Sequence, residues 1–210
     1  MNFVFWGGTG QAKVLREIVD SQNLGRIIAV FDNNSQTPPP FADVPIFYGI
    51  AAFYDFLKNA PKPLAGVAAI GGARGADRLH YLNLFKENNL ATPNLVHRTA
   101  TLLTTIPENF GIQILANVTL GVHCQLGRGV ILNSCANVEH ECTLADGVHI
   151  APSATLLGVV NVGENAFVGA NATILPFLNI GKNATIGAGS VVLKNVADFA
   201  KIAGNPAKAI

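Results

Sequence analysis

Residues 114–192 read ILANVTLGVHCQLGRGVILNSCANVEHECTLADGVHIAPSATLLGVVNVGENAFVGANATILPFLNIGKNATIGAGSVV, and an internal repeat in them decides the fold. From Ile114, every sixth residue is aliphatic: Leu120, Leu126, Leu132, Val138, Leu144, Ile150, Leu156, Val162, Val168, Ile174, Ile180, Ile186 and Val192. Four places after these stand small or modest side chains, from Val118, Cys124, Val130, Ala136 and Cys142 through to Ala184 and Ser190. Both series are expected to point inward. The residue directly after the aliphatic is often glycine (Gly121, Gly127, Gly163, Gly169, Gly181, Gly187), which suggests a positive φ at a sharp corner. Glu139, Leu157, Leu175 and Leu193 occupy that slot at intervals of 18, so three hexads make one turn with three inequivalent corners. The expected object is a triangular prism of about four and a half coils, stacked ~4.8 Å apart with aliphatics along the axis.

Upstream the pattern changes. Phe3–Trp6 is a short apolar strand, Gly7–Gly10 a glycine turn, and Gln11–Asp20 an amphipathic helix carrying Val14, Leu15, Ile18 and Val19. Ile27–Phe31 reads as a strand ending at Asp32, the Pro38–Pro40 run as a loop, and Ala51–Lys58 as a helix. Leu64–Ile70 is a third strand running into Gly71-Gly72, and Ala76–Asn88 a third helix. This β-α-β-α-β-α order implies a small Rossmann-like parallel sheet over residues 1–95, followed by the solenoid over 96–210.

Composition narrows the partners. Lys and Arg total 14 against 13 Asp and Glu with no basic run, which argues against nucleic acid and for a small substrate. The apolar stretches are short and broken by Gly, below the ~20 residues that span a bilayer, so membrane insertion is not expected. Residues 1–6 lack the basic n-region and cleavage site of a signal peptide, which leaves the cytoplasm as the default. The three cysteines include no CxxC pair, and Cys124 and Cys142, which stack at an 18-residue interval, read as core packing.

Two places carry chemistry. Gly7-Gly8-Thr9-Gly10 lies between a strand and a helix, where free N–H groups and the helix dipole suit a phosphate, and Asp32 stands where a ribose or base would be met. GxGxxG would need glycine at Lys13, and the unit is small for a dinucleotide, so a mononucleotide or nucleotide-sugar fits better. The second place is His140, at an outward corner between Glu139 and Glu141, where a carboxylate would strengthen the imidazole as a proton acceptor. Glu141 also stacks 18 residues from His123, so it could serve either histidine. The solenoid histidines His123, His140 and His149 are 17 and 9 apart, with no pair close enough to suggest a metal site.

The segment VILNSCANVEHEC (130–142), with FDNN (31–34), AIGG (69–72), LVHRTA (95–100) and GNPAK (204–208), resembles the hexapeptide-repeat sugar acyltransferases named for sialic acid O-acetyltransferases. Within that family the resemblance is strongest to the UDP-4-amino-sugar N-acetyltransferases of the bacillosamine pathway of protein glycosylation. It implies a left-handed parallel β-helix, a homotrimer with acetyl-CoA as cosubstrate, and N-acetylation of a UDP-4-amino-4,6-dideoxy sugar. It further implies His140 as general base, Glu141 as its supporting carboxylate, and His149, Ala170 and Ala188 as acetyl-CoA contacts. Thr9, Gly10, Gln11, Asp32 and Asn33 would contact the sugar nucleotide. Gln11 replaces the histidine common in the family's turn, and GGARGADR (71–78) departs from its AIGxN-x-x-R string. O-acetylation of a sugar, or a non-catalytic solenoid that binds nucleotide-sugars, are the alternatives; binding of acetyl-CoA separates the second from an enzyme.

Overall fold

The computed structural model describes residues 1–210, which form two packed units. The first comprises β1 (Asn2–Trp6), α1 (Gly10–Ser21), β2 (Arg26–Asp32), β3 (Ile46–Tyr48), α2 (Gly49–Leu57), β4 (Leu64–Ala68) and α3 (Gly75–Glu87). Its strands are all parallel, in the order β3-β2-β1-β4. Alternation along β1 sends Phe3 and Phe5 to one core with Ala12, Leu15, Ile18 and Val19 of α1, and Val4 and Trp6 to another with Phe53 and Phe85. Both faces are covered, which is why the strands read as continuous apolar runs. The sequence reading expects three strands here and the structure has four. The extra one, β3, is a three-residue edge strand directly after Pro45, too short to register as an alternating pattern.

The second unit is a left-handed parallel β-helix with three faces. The first face stacks the strands at residues 95–96, 113–114, 131–132, 149–150, 167–168 and 185–186; the second begins at 101–102 and the third at 125–126. Pairing advances by 18 residues, Ile131 on His149 and Val138 on Leu156, as the hexads require. The inward positions form one core cluster of 27 buried residues running from Ile112 to Val196. A short antiparallel pair, Lys201–Ala203 with Lys208–Ala209, closes the C-terminal end.

One local expectation is corrected. The left-handed backbone falls two residues beyond the glycine slot, at Asn117, His123, Gly129, Cys135, Glu141, Gly147 and onward to Gly189, while Gly121, Gly127, Gly163, Gly169, Gly181 and Gly187 do not have positive φ. What excludes a side chain at the latter positions is the neighbouring coil. An added Cβ at Gly163 would lie 2.6 Å from the Lys182 nitrogen, and at Gly169 2.6 Å from that of Ala188. No helix is long and apolar enough to cross a membrane.

The units meet on the first face and its flanking corners. Arg78, fully buried on α3, donates to the carbonyls of Gly129 (2.5 Å) and Gly147 (2.6 Å) on the solenoid and of Ile70 (2.9 Å) in its own unit. Burial pushes its guanidinium down to about 10, still charged at neutral pH, and carbonyl dipoles take the place of a carboxylate partner. Gln113 of the first face donates to the Ala68 carbonyl (2.8 Å) and accepts from Gln11 Nε2 (2.8 Å).

Candidate functional site

Because β1 lies between β2 and β4, the turn after it stands at the carboxyl edge of the sheet, beside the crevice where open α/β sheets take ligands. Gly7 has φ +112°, and a Cβ there would collide with the Ala69 carbonyl, so both conformation and space demand glycine. Its N–H donates to Phe31 O (2.7 Å). Thr9 caps α1 without using its hydroxyl, and the N–H groups of Gly10 and Gln11 have no partner within the chain. Gly10 has open space where a Cβ would be.

Asp32 has a structural part besides the one expected. Its carboxylate accepts from the N–H of Gly8 (2.8 Å) and of Asn34 (2.9 Å), so it braces the turn and removes Gly8 from the donors free for an anion. Asn33 donates to the Tyr81 hydroxyl (2.6 Å), which ties it to α3. Two concavities flank the turn. One of about 310 Å³ is lined by Thr9, Gln11, Asp32, Gly71 and Arg74, and one of about 340 Å³ by Thr9, Gly10, Lys13, Asn34 and Pro38–Pro40. Larger hollows at Leu57–Ala91 (about 700 Å³) and at the C-terminal cap (about 420 Å³) contain none of these residues. Lys13 and Arg74, the latter paired with Asp77 (2.7 Å), place a cation on each side of the turn; the sequence analysis assigns neither to the site, and the first-turn position of Lys13 on α1 is the signal for it.

His140 stands on the corner between the second and third faces, its side chain 51% exposed. Its Nδ1 lies 3.0 Å from Glu141 Oε2, and His123 makes no hydrogen bond, so of the two histidines Glu141 serves His140. With Nδ1–H donated to the carboxylate, Nε2 carries the lone pair, the arrangement a general base needs. Four stacked residues of this corner, His123, Glu141, Val159 and Phe177, have φ near +60°, as the corner residues of every coil do.

His149 lies elsewhere. The resemblance assigns it to acetyl-CoA, but the residue is 4% exposed, with Nδ1 donating to Gly72 O (3.1 Å) and Nε2 accepting from Asn133 Nδ2 (3.1 Å). Burial pushes it down to about 4, so it is a neutral bridge across the seam between the units. Ala170 and Ala188 stack on the corner between the first and second faces, one prism face away from His140. Cys124 and Cys142 are free and buried in adjacent coils, and the contact between them together with burial holds the Cys142 thiol protonated. No group of three or more His, Cys, Asp or Glu is placed to hold a metal ion.

The family model for the bacterial transferase hexapeptide (six repeats) matches residues 160–194. The full chain superimposes on perosamine N-acetyltransferase (PerB) from Caulobacter crescentus, solved with CoA and GDP-perosamine, at 27% identity and TM-score 0.88 over 100% of this chain and 97% of that one. The chain carries the hexapeptide repeat of these transferases over residues 160–194 and is similar to them in fold. The chain is also similar to the acetyltransferase domain of PglB from Neisseria gonorrhoeae, solved with acetyl coenzyme A, at 26% identity and TM-score 0.84 over 100% and 98% of the two chains. WeeI from Acinetobacter baumannii shares the fold at 22% identity and TM-score 0.80, with both chains covered completely.

Proposed function

We propose that this transferase moves the acetyl group of acetyl-CoA to the amino group of a nucleotide-linked amino sugar, with His140 as general base. The observation that carries the reading is the exposed His140–Glu141 pair, whose hydrogen bond leaves Nε2 free on a corner of a fold whose relatives are sugar N-acetyltransferases. As the sugar amine attacks the thioester carbonyl, Nε2 takes its proton, the C–S bond breaks, and CoA leaves as the thiol. The thioester is already activated, so no cysteine is acylated. Residues 1–95 take the sugar nucleotide at Thr9, Gly10, Gln11, Asp32 and Asn33, with Lys13 and Arg74 attracting the phosphates. Residues 96–210 take acetyl-CoA, with Ala170 and Ala188 lining its path and His149 orienting the seam.

The working protein is a homotrimer in this reading. In a triangular prism the corner carrying His140 is opposite the first face, and the hydrogen bonds that join the two units all lie on that face and its flanking corners. The sugar-nucleotide cradle of one chain therefore faces away from its own base, and a neighbouring prism brings the two together. Three free cysteines fit a reducing cytoplasm. The test is release of CoA thiol from acetyl-CoA with UDP-, GDP- and dTDP-linked 4-amino sugars, alongside the mass in solution. Turnover by a trimer is expected; a monomer that binds the sugar nucleotide but releases no thiol would overturn the reading.

A further inference from the structure

We propose that Gly158 is a positioning residue for this base: the side chain it lacks leaves the seat on which the His140 imidazole lies. The inference rests on the transferase reading above. At 18-residue intervals the corner slot is filled by Val122, His140, Gly158, Pro176 and Lys194, so every other coil carries a side chain there. Backbone conformation does not demand glycine either, since φ at 158 lies outside the left-handed region. What excludes a Cβ is His140. The three heavy atoms nearest an added Cβ all belong to its ring: Cδ2 at 3.1 Å, with Cε1 and Nε2 closer.

Gly121, two coils before Gly158 on the same corner and in the neighbouring slot, shows the contrast. A Cβ there would meet the His140 backbone nitrogen at 2.7 Å and the Glu139 carbonyl carbon at 2.8 Å, so glycine at 121 serves the stacking of coils. At 158 no backbone atom is among the nearest three, and the atoms that a methyl would press on first are those of the ring. Glu141 fixes Nδ1 from one side and the bare backbone of Gly158 supports the Nε2 edge from below. An exposed histidine would otherwise sample several rotamers, and a base displaced by about 1 Å loses rate on the order of a hundredfold.

The experiment is Gly158→Ala in the wild-type and His140→Ala backgrounds, with steady-state kinetics, thermal unfolding, and the NOE between His140 Hε1 and Gly158 Hα. We expect a loss of about ten- to a hundredfold in kcat with KM for both substrates and Tm unchanged, no further loss in the His140→Ala background, and an NOE in the wild type. Unchanged kcat, or an equal fall in Tm in both backgrounds, would show that glycine serves only the fold and would overturn the proposal. Absence of the NOE would overturn it too. If the wild-type protein releases no thiol with any acceptor, the transferase reading fails while the NOE still decides the seat.

Discussion

The solenoid and the α/β unit both bury parallel strands, yet they do so by opposite rules. In the solenoid each strand is two residues long and touches only the coils above and below, so one period sets the register of every pair. In the α/β unit β1 pairs with β4 from Asn2 to Leu64 and with β2 from Asn2 to Arg26, and nothing periodic links the three. A repeated rule tolerates local exceptions, because each coil is supported on both sides; the candidate base sits on one such exception. The non-repeating unit has no such redundancy, and its attachment depends on a few singular side chains at the seam.

If that contrast holds, the largest effect on stability comes from the seam. Arg78→Met leaves three strongly bonded carbonyls without a donor and is expected to cost about 3–5 kcal/mol. Denaturant unfolding should then separate into an early transition of the α/β unit and a late one of the solenoid. A single transition with an unchanged midpoint would refute the singular role of the seam.

The seam should also be pH-sensitive through His149. Its folded value, about 4, lies below the 6.5 of an ordinary histidine, so the unfolded chain binds the extra proton between those limits. Stability from this group is complete above pH 6.5 and is lost as pH falls toward 4, up to about 3 kcal/mol at ~1.4 kcal/mol per pH unit. His149→Gln, which does not titrate, should flatten that part of the stability profile. Equal profiles for the two proteins would remove His149 from the account.

On the solenoid side, His140→Ala should lower kcat at least ~100-fold, about 2.7 kcal/mol of barrier. Stability should move by less than about 0.5 kcal/mol, because an exposed corner carries no core. His123→Ala, which breaks no hydrogen bond, is the control and should be nearly silent. A smaller effect than loss of the base belongs to Gly10→Val: with nothing near that position the fold should be intact, and KM for the sugar nucleotide should rise about tenfold, ~1.4 kcal/mol, with acetyl-CoA unaffected. A parallel rise in KM for acetyl-CoA would mean that the two units do not divide the substrates.

What was legible in advance follows the same line. Ile114 to Val192 specify three faces and a full core by spacing alone, and the glycine turn, Asp32 and the His140–Glu141 corner can be read from their neighbours in sequence. β3 was missed because three residues against a proline carry no period. At the corner glycines the sequence shows where a side chain is absent but not whether φ or a neighbouring coil excludes it.

By itself, then, the sequence determined the elements whose cause is local or periodic: the hexads, the helix faces, and the corner on which His140 stands beside Glu141. Only the tertiary structure decided that Asp32 spends its oxygens on the turn, that His149 is sealed at the seam, that Arg78 binds the solenoid, and that Gly158 lies under the imidazole. The physical reason is that these roles belong to pairs of groups brought together by folding. For such pairs, hydrogen-bond direction, burial and the space for one methyl group are properties of the contact, and neither residue carries them alone.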